Sequence, residues 1–169
     1  MSDVINLEIQ RQNWEKFSKA LAKSPEEIGK QLAAAIWQAE MLLQRETVEK
    51  TPTGVSRGAG LRASIISEKP QIMSDQIIGS VGTSLNYAVP VELGTKPHRP
   101  PVAPIMEWAK YKLGVTEPEA IRIGYAIANK IAKKGTEGSF MFKQAFEKNQ
   151  KQVDALLNKA LNKVLRGLE

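Results

Sequence analysis

The chain has 169 residues, enough for one domain with a helical appendage, and its 42% hydrophobic and 25% charged residues are ordinary for a soluble globular protein. With no cysteine and a single histidine, His98, disulfides, thiolate metal sites and histidine-rich metal sites are excluded, and no metal or other cofactor is expected. The net charge of +6 is unevenly placed: residues 129–169 carry nine basic and four acidic groups, against fifteen and fourteen in residues 1–128. A protein that reads DNA bases concentrates charge near aromatic or amide side chains, so a solvated lysine-rich helix face is the simpler expectation here.

The opening "MSDVINLEIQRQNW" lacks a basic stretch followed by an apolar run, so no signal peptide is expected. No run of about 18 apolar residues occurs, and no membrane span is expected. "VINLEIQ" reads as a strand or an ordered arm, and Trp14, Phe17 and Leu21 recur at helical spacing. The clearest helix is "SPEEIGKQLAAAIWQAEMLLQRETVEK". Ser24 is its expected cap, Pro25 its first residue, and Ser24 with Glu27 a capping box. Ile28, Leu32, Ala35, Ile36 and Ala39 form its apolar stripe, and Thr51-Pro52 ends it because a residue before proline avoids the helical region.

The stretch "TPTGVSRGAGLRASI" is rich in glycine and carries Arg57 and Arg62 without local acids. A phosphate-binding loop needs a strand before it, a helix after it and a lysine at the junction. Here the helix comes first, a strand pattern follows and the lysine is absent, so the stretch reads as a connection suited to contact with another chain. Its Thr53–Gly60 portion has Val55 as the sole apolar anchor and is expected to be mobile until a partner orders it.

Beyond it the period changes to two. "LRASIISE", "QIIGSVGTS" and "YAVPVELG" read as three strands of an antiparallel meander, with turns near Lys69-Pro70, Ser74-Asp75 and Leu85-Asn86. Pro90 marks the last strand as an edge or a bulge. "GTKPHRPPVAP" is an extended crossing and "PIMEWAKYKLG" a short helix stopped by Gly114. Thr116 and Glu119 form a second capping box, opening a helix that ends at Gly135 with Ala120, Gly124, Ile127 and Ile131 on one stripe. Ser139 is the expected cap of the final helix, whose apolar side includes Phe142, Phe146, Val153, Leu161 and Val164. Met41, Met106, Met141, Trp14, Trp37 and Trp108 fall on helix stripes and read as core.

No catalytic constellation emerges. A serine triad would have to use His98, which sits in an extended run between Pro97 and Arg99, and no serine has a Gly-x-Ser-x-Gly setting. His98 reads as a loop residue contacting a neighbour. Glu92 with Asp75 as an acid–base pair is weaker than a solvent-facing or salt-bridged Glu92.

A helix ending in Thr51-Pro52, then Gly60, Leu61, Arg62, Ser64 and Ile65, then Val81, Gly82, Thr83, Tyr87, Ala88, Val91, Glu92, Gly94 and Thr95, then Arg99-Pro100, form an ordered set of short motifs. The set resembles a family of tailed-phage morphogenesis proteins: the minor tail, neck and tail-completion proteins of double-stranded-DNA phages. The likeness covers roughly residues 24–113. The connection between Pro52 and Leu61 is longer and richer in glycine than the family's usual run, and two helices from Thr116 onward extend beyond its short members.

The resemblance implies a virion protein assembled in the bacterial cytoplasm. It would form a head-to-tail ring of identical subunits, expected as a hexamer, joining the DNA-filled head to the tail. Its implied partners are an adaptor or head-closure protein on the head side and a tail terminator or tube on the tail side, with genomic DNA passing through unread. The expected architecture is α+β: a long helix on a small antiparallel sheet in residues 1–115, then a C-terminal helical extension in 116–169. Arg57, Arg62, Glu92, Lys96, His98 and Arg99 are the candidate interface residues, with Glu92 expected to brace one of Arg62, Lys96 or Arg99, from its own chain or from a neighbouring subunit, the subunit interface being favoured. A small basic nucleic-acid-binding protein is the competing expectation.

Overall fold

The structure, a computed structural model, describes residues 25–53, 60–73 and 76–166. The expected N-terminal arm and short helix, the Ser24 cap, the loop portion with Arg57, and Asp75 lie outside the described residues. The architecture is α+β, with a long helix, a small antiparallel sheet and C-terminal helices. Contacts sort the chain into two compact units that interleave in sequence. One holds residues up to Glu40, Glu68–Ser80 and Gln150 onward; the other holds Met41–Ser67 and Val81–Asn149. Residues beyond 115 occur in both.

In the first unit, helix α1 (Pro25–Lys50) contributes its opening turns. Ile28 is buried with Leu161 and Val164 of the last helix, α6 (Met141–Arg166), and Leu32 and Leu165 pack around them. The unit also contains most of a hairpin, β1 (Ile66–Ile72) and β2 (Ile77–Gly82). The Met73 N–H donates to the Gln76 carbonyl at 2.8 Å, and so short a connection can join only antiparallel strands. The hairpin lies against α1, with Ile72 beside Gly29 and Gly79 beside Ile36 and Glu40. β1 runs straight through Lys69-Pro70, where a turn was expected. A two-stranded ladder leaves alternate N–H groups facing outward, so a proline there forfeits no bond.

The second unit is mostly helical. Leu61-Arg62-Ala63-Ser64 forms a single turn, α2, rather than the start of a strand. The Gly60 carbonyl accepts from the N–H groups of Ala63 and Ser64, and Leu61 and Ile65, four residues apart, are both buried.

The larger correction concerns "YAVPVELG". It is not a third strand: Ala88–Leu93 is a helix, α3. Leu85, Ala88 and Val91, spaced by three, pack in one core cluster with Leu61, Met141 and Phe142, while Val89 and Leu93 face outward. Pro90 falls in the helix's first turn, where a backbone N–H has no acceptor to lose. The expected meander is therefore a two-stranded hairpin.

Gly94–Thr95 (β3) instead forms a second, two-residue ladder with Thr136–Glu137 (β4), pairing Gly94 with Glu137 and Thr95 with Thr136. Gly94 and Gly135 have φ of 78° and 73°, and a Cβ on either would collide with backbone of the opposite strand. Both need glycine.

Helices α4 (Val102–Leu113) and α5 (Glu117–Lys134) pack together through the left-handed turn at Gly114. Ala109 and Ala120 are fully buried, and Gly124 lets Met106 and Val102 approach. The expected capping box is present: Glu119 accepts from the Thr116 N–H at 2.9 Å. Among the residues expected in the core, Met141 is fully buried and Met106 and Trp108 half-buried, but Trp37 and Met41 are exposed. Trp14 lies outside the described residues. No helix among the described residues is long and apolar enough to cross a membrane.

Candidate functional site

The motif residues singled out in the sequence meet in the second unit, where they tie helix ends together. α1 ends in buried threonines: the Thr51 hydroxyl donates to the Thr47 carbonyl at 2.6 Å, with Met141 Sδ 3.2 Å away. The Thr51 carbonyl is left without an intrahelical donor, as the last carbonyls of any helix are. Arg62 supplies one. Its Nε donates to the Thr51 carbonyl at 2.8 Å and its Nη2 to the Glu49 carbonyl at 2.9 Å, so a cation sits where the helix dipole is negative.

Glu92 does the converse for α6. Its carboxylate accepts the Phe142 N–H at 3.1 Å and the Lys143 N–H at 3.2 Å, capping two first-turn amides with a negative charge. Ser139, the expected cap, instead donates its hydroxyl to the Val91 carbonyl at 2.9 Å. Phe140 occupies the capping position with φ 48°, its N–H donating to the Glu92 carbonyl at 3.0 Å. A phenylalanine in the left-handed region is uncommon, and the backbone bonds on either side hold it there.

Within the subunit, and contrary to the intramolecular form of the expectation, Glu92 braces none of Arg62, Lys96 or Arg99 among the described residues; its oxygens accept two amides of α6 instead. Lys96, His98 and Arg99 lie on an exposed run after β3. The His98 N–H donates to the Ile131 carbonyl at 3.4 Å and its Nδ1 lies 3.0 Å from the Lys96 carbonyl, while Lys96 and Arg99 form no ion pair among the described residues.

Around these joints the surface is apolar. Val89 (61% exposed) and Leu93 (65%) stand one turn apart on α3, with Tyr87 just before it and Phe140 beyond. These apolar side chains stand in water on the single subunit. The alternation of this segment, read as a strand, puts Val89, Val91 and Leu93 on one face and so hides the ridge from the sequence. Among the described residues no three His, Asp or Glu side chains cluster to hold a metal.

The first unit holds one feature that the sequence did not announce. Glu40 is 4% exposed, and among the described residues no hydrogen bond of good geometry reaches either carboxylate oxygen, the Ser80 backbone making only a weaker approach. Burial under the hairpin pushes its pKa up to about 7; the backbone of Ser80 lowers it in part, and the charge of Glu68 raises it further. The available signal was an acid one turn after Ile36, inside the apolar stripe. Glu46, in the second unit, behaves oppositely: Lys148, 2.8 Å away, holds its carboxyl below the usual range.

Comparison with protein-family models, with curated proteins and with solved structures finds no match.

Proposed function

We propose that the chain is a structural subunit of a tailed double-stranded-DNA phage virion, one copy in a closed ring joining head to tail, without enzymatic activity. The observation that carries this reading is the ordered motif set from Thr51 to Pro100. Its support in three dimensions is that Thr51, Arg62, Glu92 and Gly94 are joints of one compact unit, with the apolar ridge of Val89 and Leu93 beside them. A ring of identical subunits uses heterologous contacts, in which a ridge on one copy seats on a different surface of the next. The exposed run from Lys96 to Arg99 is a second surface for a neighbour, whether another copy, the head-side adaptor or the tail-side terminator.

Light scattering over a concentration series, with negative-stain images of the same fractions, tests the reading. A discrete closed oligomer, expected as a hexamer, supports it. A chain monomeric at every concentration, with no rings in the images, overturns it. The second reading, a small basic nucleic-acid-binding protein, is favoured by one observation: the cationic outer face of α6.

A further inference from the structure

The C-terminal part of α6 separates its residues cleanly by side. Val153, Leu161 and Val164 are buried, whereas Lys151, Asn158, Lys159, Asn162, Lys163 and Arg166 are all exposed. At 100° per residue, these six fall on one side of the helix. Asp154, the one acid between Gln150 and Arg166, is half-buried at the margin of this side, and Lys159, Lys163 and Arg166 have no ion-pair partner among the described residues. An exposed helix face gains stability from pairs of opposite charge one turn apart. This one alternates cations with amide donors and carries no acid at its centre.

We propose that this face of α6 binds the phosphate backbone of double-stranded DNA, without reading its sequence. Three features select that partner. Lysine, arginine and asparagine are all donors to phosphate oxygens, and such contacts position a duplex without specifying bases. No aromatic side chain stands on the face, which excludes the base stacking that single strands require. The face from Lys151 to Arg166 extends over about 22 Å of helix, and a duplex presents one negative charge per about 1.7 Å of its axis, a density that matches a continuous cationic stripe. The inference does not depend on the connector reading, since it concerns one helix face and not the assembly.

The test uses the full chain and a fluorescently labelled 30-base-pair duplex of random sequence, followed by anisotropy across a salt series. Wild type is expected to bind with log K falling linearly with log salt. The triple variant K159Q/K163Q/R166Q should bind at least about tenfold more weakly near 100 mM salt, with a salt slope shallower by about 2.7, the loss of three phosphate contacts. The control K130Q/K133Q/K134Q removes equal charge from α5 and should change neither quantity as much.

Equal losses in the two variants would reduce the effect to net charge and overturn the proposal, as would tighter binding of a single strand of equal length. Unchanged DNA affinity with altered mass in light scattering would assign the face to an acidic surface of a neighbouring protein instead. Because mass and DNA affinity are read separately, failure of this inference is distinct from failure to form a ring.

Discussion

Arg62 and Glu92 illustrate how a charged side chain with no obvious partner in the sequence finds one in the backbone. Each terminates a helix, one offering donors to the carbonyls of α1 and the other acceptors to the amides of α6. Glu92→Gln keeps one acceptor and loses the charge, and should destabilise the subunit by about 1 kcal/mol, lowering its melting temperature by about 2–4 °C. An unchanged melt with lost assembly would return Glu92 to the interface role.

Burial shifts Glu40 in the direction opposite to that of a paired carboxylate. Its pKa is about 7 in the folded chain against 4.5 when exposed, so between those values folding takes up a proton. Stability falls as pH rises through this window, by on the order of 1–3 kcal/mol, and is flat above it. Glu40→Gln should abolish the effect, so its stability advantage over wild type should grow from pH 5 to pH 7.5 in urea unfolding. An advantage constant with pH would refute the assignment. Glu46 works from the other end: its lowered pKa contributes stability present above the usual carboxylate range and lost as acid protonates it.

Among the elements, α3 carries the sharpest contrast between pattern and outcome. In a strand, Val89, Val91 and Leu93 would share a face. In the helix Val91 turns inward with Leu85 and Ala88 while Val89 and Leu93 turn outward. Val91→Ala should therefore cost about 1 kcal/mol or more, and Val89→Ala close to nothing, in chemical denaturation of the same protein. Equal costs would favour the alternating arrangement.

For the molecule as a whole, the outward residues of α3 are where stability and assembly separate. Val89→Ser with Leu93→Ser removes apolar surface that the single subunit leaves in water, so its melt should stay within about 0.5 kcal/mol of wild type. If the ridge joins subunits, the same variant should shift the light-scattering mass toward monomer. A mass distribution unchanged at every concentration would place the contact elsewhere.

What could be read from the sequence alone was local and periodic. The span of α1 up to its Thr51-Pro52 end, the Thr116–Glu119 box, the stops at Gly114 and Gly135 and the buried side of α6 each follow from spacing or from a terminal residue's own chemistry. Tertiary structure decided the rest. The segment "AVPVEL" alternates well enough for a strand and is short enough for either state, and only the cluster around Leu61 and Met141 selects the helix. Arg62 and Glu92 received their partners from helix ends 11 and 50 residues away, and Glu40 lost its water to a hairpin that folds over it. A residue's chemistry is written in its side chain, but desolvation and hydrogen-bond partners depend on what the fold brings near, and those separations leave no period to read.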